Sequence, residues 1–322
     1  MQGLIINAQK NLYSVKYNDQ EVLCFLTGKV FKEKENKSSK GFDRRKLESS
    51  SKKEHHNNSN NVNTKSLVVI GDIVEFDILE DNKGLITSIY PRKTKFSRQG
   101  IGIDANKEQI IAANIDQIVI VCSVHDPRYK LNGIDRYIVS AKAGGIEPIV
   151  CFNKIDMIDI SDIQADIDNY QKNGIKTLTT SSYKGIGIDD LKEILKDKIT
   201  VFSGSSGVGK SSLVNSLFDK NIAKTSDISL TVKKGRHTTS SSYLYDLPFG
   251  GMILDTPGMR QFGLFGSEDQ VENIFEDVTS YAENCKFKNC RHINEPSCAV
   301  KKAVESGEIN AQRYKSYLKL RK

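Results

Sequence analysis

The chain has 322 residues, a hydrophobic fraction of 38% and a net charge of +7. This length is typical of two or three domains, and the composition is that of a soluble globular protein. We expect no membrane association and no secretion, because no apolar run reaches the roughly 18 residues of a membrane span and the N-terminus does not resemble a signal peptide. The positive charge favours an anionic partner such as RNA or an acidic membrane surface, although a basic solvated surface explains it equally well.

Residues 1–97 predict a small β-barrel. Five short apolar runs are separated by Gly, Asn and Asp turn signals, which is the pattern of short strands. Five strands favour an OB-fold, and a barrel of another topology is the alternative. Residues 32–65 are rich in Lys, Ser and Asn and predict a disordered loop between the third and fourth strands. The pair His55-His56 within them could be a metal site, but no third ligand is nearby. A basic linker at residues 91–98 follows.

Residues 98–265 predict a doubly wound α/β domain. The continuous apolar runs Gln117–Cys122 and Pro148–Phe152 are typical of parallel strands that are buried on both faces. A helical pattern at Ile134–Ala141 lies between them. Alternation of strands and helices is characteristic of this fold class.

One stretch of this domain matches the phosphate-binding pattern GxxxxGK[ST]. A strand-like run precedes Gly204–Ser211 and a helical run follows it, and this context distinguishes a P-loop from a chance glycine-rich turn. The glycines let backbone N–H groups surround phosphate oxygens. Lys210 would reach the β- and γ-phosphates, and Ser211 would bind Mg²⁺. The predicted phosphate-binding residues are Gly204, Ser205, Ser206, Gly207, Val208, Gly209, Lys210, Ser211 and Ser212.

A second motif predicts the base that is bound. Asn153–Asp156 follows directly on a predicted strand, where the carboxylate of Asp156 can accept two hydrogen bonds from guanine. Adenine offers no such pair of donors and would leave the carboxylate unpaired. A serine pair after the next short strand would support the base, unless it forms an ordinary polar turn. The predicted guanine-binding residues are Asn153, Lys154, Asp156, Ser181 and Ser182.

Two further motifs predict the parts that respond to the γ-phosphate. Asp255–Gly258 follows an apolar strand, which places Asp255 near Mg²⁺ and lets the Gly258 N–H sense the γ-phosphate. Between the P-loop and this motif, Thr239, or alternatively Thr238, would complete the Mg²⁺ coordination and contact the nucleotide.

The catalytic group does not follow from these motifs alone. Many GTPases carry a Gln directly after the Asp-x-x-Gly glycine, but this chain has Met259, which cannot polarise water. His237 is the candidate, because an imidazole can orient or deprotonate water near neutral pH. A group supplied by a partner is the alternative. Gly207 stands where potassium-dependent GTPases often carry Asn, so we do not predict potassium dependence.

Residues 266–322 predict a polar helical domain around Cys285, Cys290, His292 and Cys298. Three thiolates and one imidazole can form a closed tetrahedral Zn²⁺ site, with a redox or disulfide cluster as the alternative. Metal would replace a hydrophobic core in so short a segment. The cysteine pattern fits a reducing cytoplasm. Basic residues surround the cluster, and RNA contact and a solvated charged face explain them equally well.

The motif order is circularly permuted, because Asn153–Asp156 precedes the P-loop. This order, together with Gly235–Thr239, Asp255–Gly258 and the cysteine–histidine spacing, resembles the RsgA (YjeQ) family of bacterial circularly permuted GTPases over nearly the whole chain. The resemblance implies GTP hydrolysis stimulated by the 30S ribosomal subunit, a role in late maturation of that subunit, contact with 16S rRNA, one zinc ion and a cytoplasmic monomer. It also supports His237 as catalytic. The insert at residues 32–65 is long for the family.

Permutation also places the C-terminal domain directly after Asp255–Gly258, so the nucleotide state would set the orientation of that domain. Two other functional classes stay open. One is an RNA-binding module whose nucleotide site is a structural switch with negligible turnover, which Met259 allows. The other is an ATP-using P-loop enzyme, which Asp156 disfavours.

Overall fold

The computed structural model describes residues 1–9, 11–26, 68–79, 83–99, 108–218, 242–255, 271–272 and 274–321. The chain divides into two compact units, Met1–Arg92 with Ser241–Tyr243, and Lys93–Ser240 with Leu244–Lys322. Among the helices in these ranges, none combines the length and the hydrophobicity that a membrane span requires. The loop predicted at residues 32–65 lies outside the described residues.

The first unit contains a five-stranded barrel. Its strands are β1 (Gln2–Gln9), β2 (Leu12–Tyr17), β3 (Gln20–Leu26), β4 (Ile73–Ile78) and β5 (Lys83–Ile89). They pair in the order β1–β2–β3–β5–β4, and β4 pairs with β1 again, which closes the barrel. The β3–β5 pair is parallel, and the other pairs are antiparallel. This closed five-stranded arrangement confirms the predicted OB-fold.

Alternating side chains of these strands fill the interior of the barrel, as expected for strands with one face turned inwards. Tyr13, Val15 and Phe76 are at most 1% exposed. Asp72 is also fully buried, and Arg92 donates to both of its carboxylate oxygens at 2.7 and 2.8 Å. The bidentate pair stabilises a carboxylate that would be costly to bury alone.

The second unit begins with an antiparallel strand pair, β6 (Lys95–Gln99) and β7 (Glu108–Ala113). The sequence predicted a basic linker over residues 91–98, and that prediction was wrong from Lys95 onward. Phe96 pairs with Ala112 and is only 2% exposed. Phe96 therefore belongs to a strand although its neighbours in sequence are polar. The strand tolerates them because a two-stranded ribbon can leave its charged side chains in solvent.

Strands and helices alternate through most of the second unit. The strands are β8 (Gln117–Ser123), β9 (Glu147–Asn153), β10 (Lys176–Thr180), β11 (Ile199–Ser203), β12 (Tyr243–Asp246) and β13 (Met252–Asp255). The helices are α1 (Leu131–Ala143), α2 (Ser161–Lys172), α3 (Ile188–Leu195) and α4 (Lys210–Ser216). The strand order is β10–β9–β8–β11–β13–β12, with parallel pairing from β10 to β13. The predicted α/β fold is confirmed.

This sheet determines where the functional loops meet. Every residue of β8 is buried, as expected for a central strand that is covered by helices on both faces. Because β9, β10 and β11 run parallel, their carboxyl ends lie at one edge of the sheet, and the loops that follow them meet there.

The C-terminal segment forms a small helical assembly. Its elements are α5 (Glu276–Thr279), a 3₁₀ turn (Ala282–Asn284), α6 (Ala299–Glu305) and α7 (Ala311–Leu320). Phe275, Val300 and Tyr317 are buried in one cluster that also includes Val139 of α1. This segment therefore shares a hydrophobic core with the α/β sheet domain, and the expectation that metal would replace such a core was wrong. The division into three domains at residues 1–97, 98–265 and 266–322 stays a prediction.

Candidate nucleotide site and metal centre

The loop Gly204–Gly209 connects the end of β11 to the start of α4. The Nζ of Lys210 donates to the carbonyl oxygens of Gly204 at 2.8 Å and Ser205 at 2.6 Å, so its ammonium group lies within the curve of the loop. Gly209 has a φ of +94°, and a Cβ there would lie 2.3 Å from Nδ2 of Asn153. Only glycine allows both this backbone conformation and this close approach.

The outer part of the loop is open to solvent. Residues 205–207 are exposed, as are Ser211 and Ser212 in the first turn of α4. Val208 is 3% exposed and packs in the core beneath the sheet. The loop is therefore anchored by one apolar side chain, while backbone and hydroxyl groups beside a lysine ammonium form a surface suited to phosphate.

Asn153 joins the guanine motif to this loop. Its side chain is fully buried at the end of β9. Nδ2 donates to the carbonyl oxygen of Val208 at 2.9 Å, and Oδ1 accepts from the hydroxyl of Thr180 at 3.1 Å. The Thr180 oxygen also lies 3.2 Å from Sγ of Cys151. Asn153 therefore connects two loops of the site, and Thr180, which sequence reasoning missed, holds its side-chain amide in place.

Lys154 and Asp156 lie on the outer side of the same motif. Lys154 has a φ of +68°, and its Nζ donates to the carbonyl oxygen of Asp126 at 2.6 Å, in the loop after β8. Asp156 is exposed on a 3₁₀ turn, Ile155–Met157. The carboxylate is thus positioned at the sheet edge, where a purine base can reach it.

The serine pair follows β10, which pairs with β9 so that Thr180 lies opposite Asn153. Ser181 is fully buried, and its backbone exchanges hydrogen bonds of 3.0 and 3.1 Å with Ile186. Its hydroxyl accepts from the Lys184 N–H at 3.1 Å. Ser182 is half-buried. Ser181 therefore stabilises a tight turn, and Ser182 is the member of the pair that solvent can reach.

The γ-phosphate motifs are only partly described. Asp255 ends β13, which pairs with β11 so that Leu254 lies opposite Val201, and the backbone of Asp255 therefore leaves the sheet near the start of the P-loop. His237, Thr239 and Gly258 lie outside the described residues.

The four predicted metal ligands do come together. One ligand atom from each of Cys285, Cys290, His292 and Cys298 lies within 4.8 Å of all the others. Nδ1 of His292 is 3.6 Å from Sγ of Cys285 and 3.4 Å from Sγ of Cys298, and these two sulfurs are 3.9 Å apart. A tetrahedral Zn²⁺ requires about 3.8 Å between sulfurs and about 3.5 Å between sulfur and nitrogen. The distances among Cys285, His292 and Cys298 therefore fit this ion, and Cys290 lies close enough to supply the fourth ligand.

The surroundings favour the metal-binding form at Cys285 and His292, whereas burial raises the pKa of the Cys290 thiol to about 11, so that thiol would need the metal to ionise near neutral pH. Burial raises the pKa of the Cys285 thiol, but the backbone N–H groups of Val300 and Ala299 outweigh it and bring the pKa below its ordinary value. Burial and the nearby charge of Arg321 lower the pKa of His292, which keeps the imidazole neutral. Thiolates and a neutral imidazole are the forms that bind zinc.

A buried ion-pair network docks the C-terminal segment on α1, and sequence reasoning missed it. Arg313 of α7 is 5% exposed; its Nε donates to Asp277 at 2.5 Å, and its Nη1 lies 3.7 Å from Asp135 of α1. Tyr170 of α2 donates to Asp135 at 3.2 Å. Burial raises the pKa of Asp135, and the charge of Arg313 and the hydrogen bond from Tyr170 oppose that rise. Asp135 lies directly beside Ile134 and three positions before Ile138 in the helical pattern Ile134–Ala141, and a carboxylate so close to the apolar face was the signal that could have indicated a buried partner.

Comparison with known proteins identifies the family. The family model described as RsgA GTPase matches residues 89–265, more than half of the chain. The chain belongs to the RsgA GTPase family. A protein of Flavobacterium psychrophilum, named small ribosomal subunit biogenesis GTPase RsgA, is 40% identical over 266 residues, which cover 80% of this chain and 81% of the relative. A protein of the same name from Caldanaerobacter subterraneus subsp. tengcongensis is 41% identical over 253 residues, with 78% and 82% covered.

Solved structures of the RsgA type agree with this assignment. YjeQ from Thermotoga maritima matches with a TM-score of 0.70 and 27% identity, covering 99% of this chain and 96% of its own. YloQ, described as a circularly permuted GTPase, matches with a TM-score of 0.65 and 27% identity, covering 99% and 93%. The chain is therefore a circularly permuted GTPase of the RsgA family and a hydrolase, as the motif order predicted.

Proposed function

We propose that this GTPase binds the small (30S) ribosomal subunit and acts in its late maturation, hydrolysing GTP to GDP and phosphate with a turnover that the subunit stimulates. The observation that carries this proposal is that relatives about 40% identical over about 80% of the chain are small ribosomal subunit biogenesis GTPases by name. Nucleotide state in the switch segments would control release from the subunit. We place the protein in the cytoplasm as a monomer.

The nucleotide would lie along the carboxyl edge of the sheet. Asp156 would accept hydrogen bonds from guanine, and the backbone of the loop with Lys210 would hold the phosphates. Ser211 and Thr239 would bind the Mg²⁺ that accompanies GTP, and Asp255 would support that ion. Mg²⁺ neutralises charge that develops on the phosphates during transfer. The assignment is supported by the Asn153–Val208 hydrogen bond of 2.9 Å, because it makes the base motif and the phosphate loop one unit.

Water activation is assigned to His237, with a group supplied by the ribosomal subunit as the alternative. Met259 stands where many GTPases have a catalytic Gln, so some other group must orient the attacking water. An imidazole with an ordinary pKa near 6.5 can do so at neutral pH.

One Zn²⁺ per chain is proposed for the cluster of Cys285, Cys290, His292 and Cys298. The distances between donor atoms fit a tetrahedral ion, and such an ion would link segments of the C-terminal domain whose helices are short. Its contribution would be structural, because four protein ligands leave no open position for substrate.

The C-terminal domain is also proposed to contact 16S rRNA. Phe287 is 41% exposed between two zinc ligands, with the Lys286 ammonium 5.7 Å from its ring, and Lys288 and Arg291 are exposed nearby. The Glu295 carboxylate accepts hydrogen bonds from three backbone N–H groups of the loop at 2.8–3.1 Å, which hold it ionised and fixed, so it offsets one of these positive charges. Cations around an exposed aromatic ring suit phosphates and unpaired bases.

Two assays test this function. Pull-downs with purified 30S and 50S subunits, with a GTP analogue or GDP bound, should recover the protein with 30S and the GTP analogue. Multiple-turnover phosphate release should rise at least tenfold with 30S subunits, and His237→Ala should lower stimulated turnover by roughly a hundredfold while mant-GDP binding stays intact. Binding to 30S without turnover would instead indicate an RNA-binding module with a structural nucleotide switch. Unchanged turnover in His237→Ala would assign catalysis to the ribosome.

A further inference from the structure

Exposed apolar side chains lie in the two loops that carry the proposed guanine-binding residues, and none of the predicted motifs accounts for them. Large apolar side chains of the loops after β9 and β10 are exposed: Met157 by 52%, Tyr183 by 85% and Ile186 by 46%. Exposed single hydrophobic residues are common, but several in two adjacent loops suggest a ligand. The ligand proposed for the same edge of the sheet is a flat purine base.

We propose that Tyr183 stacks on the guanine base of the bound nucleotide. This inference rests on the proposed assignment of Asp156 to guanine recognition. Thr180 pairs with Asn153 across β10 and β9, and Tyr183 and Asp156 each follow three residues after their member of this pair. The aromatic ring and the recognising carboxylate are therefore carried by adjacent loops at one edge of the sheet.

Different side chains lie on the two sides of the end of β9, where the base is proposed to bind. On the side of β8, Lys154 is anchored by its 2.6 Å hydrogen bond to the carbonyl oxygen of Asp126. On the side of β10, Tyr183 leaves the sheet in the loop after that strand. Since β9 lies between β8 and β10, a base bound at the end of β9 has an aliphatic lysine stem on one side and an aromatic ring on the other.

The loop that carries Tyr183 is held firmly. Ser181 and Ile186 exchange two backbone hydrogen bonds of 3.0 and 3.1 Å, and the Lys184 N–H donates to Ser181 Oγ at 3.1 Å. The Lys184 ammonium lies 5.5 Å from the centre of the Tyr183 ring, while the 85% exposure of that residue leaves ring surface open to solvent. A ring with two rotatable torsions on a fixed turn loses little entropy when a base stacks on it.

Stacking and hydrogen bonding predict different selectivity. A stacked ring contacts the face that every purine has, so it strengthens binding without distinguishing bases. The Asp156 carboxylate instead reads donors on the edge of guanine. Loss of the Tyr183 ring should therefore weaken the binding of GDP and of IDP by the same factor. Loss of the Asp156 charge should instead change the ratio of the affinities for nucleotides with different bases.

Equilibrium titration with mant-GDP, followed by competition with GDP, IDP and XDP, tests the proposal. We expect Tyr183→Ala to weaken the binding of GDP and of IDP each by roughly tenfold, about 1.4 kcal/mol. Tyr183→Phe should bind both nucleotides within about twofold of the unsubstituted protein. Tyr90→Ala, which removes another exposed tyrosine (40% exposed), should leave nucleotide affinity unchanged, and melting temperatures should match.

The outcomes separate this inference from the function on which it rests. Unchanged affinity in Tyr183→Ala, or a loss in Tyr183→Phe equal to that in Tyr183→Ala, overturns the stacking assignment. If the unsubstituted protein does not bind mant-GDP, or if Asp156→Asn leaves the preference for GDP over XDP unchanged, the guanine assignment itself fails.

Discussion

Asn153 and Asp156 belong to one four-residue motif but face different surroundings. The side-chain amide of Asn153 is buried and bonds within the protein on both sides, to Val208 and to Thr180. The carboxylate of Asp156 is exposed and can reach a ligand. The motif therefore has a framework part and a recognition part. If the base binds here as proposed, its binding and the shape of the phosphate loop would be coupled through Asn153, because moving either loop would strain the hydrogen bond between Asn153 and Val208.

Removal of the Thr180 hydroxyl should loosen this coupling. Thr180→Val keeps the side-chain shape but leaves the buried Oδ1 of Asn153 without its donor. An unsatisfied buried acceptor costs about 1–2 kcal/mol, so we expect a melting temperature several degrees lower and weaker GDP binding. Thr179→Val, at the half-buried neighbour, is the control. Thermal unfolding and mant-GDP titration measure both effects, and GDP affinity equal to that of the control would show that Thr180 does not position Asn153.

At the scale of elements, the buried parallel strands were predictable because they leave a strong local signal. Continuous apolar runs marked β8 and β9, and the P-loop and guanine motif followed from their position at strand ends. The pair β6–β7 was not predictable in this way. Phe96 is the one large apolar residue of β6, and the other four residues of that strand are polar or charged. Such pairing is determined by tertiary contacts rather than by local propensity.

The site shows the same division. Residues that act through a motif, such as Lys210 and Asp156, could be named from spacing alone. Thr180, Arg313 and Asp135 could not, because their roles depend on partners that are far away in the sequence. The cysteine–histidine cluster was predictable since its four ligands lie within 14 residues and soft ligands at such spacing have few other uses.

The short helices of the C-terminal segment should depend on the metal. Cys290→Ser removes one of four ligands, so we expect zinc content to fall from one ion per chain to near zero and the segment to unfold first on heating. Cys24→Ser, at a buried thiol in the barrel, should retain one ion. Elemental analysis and limited proteolysis measure the two effects. Full zinc occupancy in Cys290→Ser would contradict the four-ligand assignment.

At the scale of the second unit, the C-terminal segment has two attachments to the sheet domain. One is covalent, since residues 256–270 join β13 to Val271, which is itself buried in the C-terminal core. These residues include Gly258, the predicted γ-phosphate sensor. The other is the buried dock in which Arg313 lies between Asp135 and Asp277. For the nucleotide to reorient the C-terminal segment, changes in residues 256–270 must pull the segment away from the contact between Arg313 and its two carboxylates. The nucleotide can do so only to the extent that it binds the undocked state more tightly than the docked state.

Pulsed dipolar spectroscopy can measure the distance between the C-terminal segment and the sheet domain. The spin labels would be attached to unnatural keto side chains at the exposed positions Lys172 in α2 and Lys315 in α7. We expect one short, narrow distance with GDP and a second, longer population with a GTP analogue. Arg313→Met leaves Asp135 buried without its cation, which typically costs about 3–5 kcal/mol, so the longer population should dominate with either nucleotide. Lys319→Met, at an exposed residue of the same helix, should behave like the unsubstituted protein. If the unsubstituted protein shows the same single distance with GDP and with the GTP analogue, nucleotide control of this domain is ruled out. The ion pairs of Arg313 would then have a purely structural role.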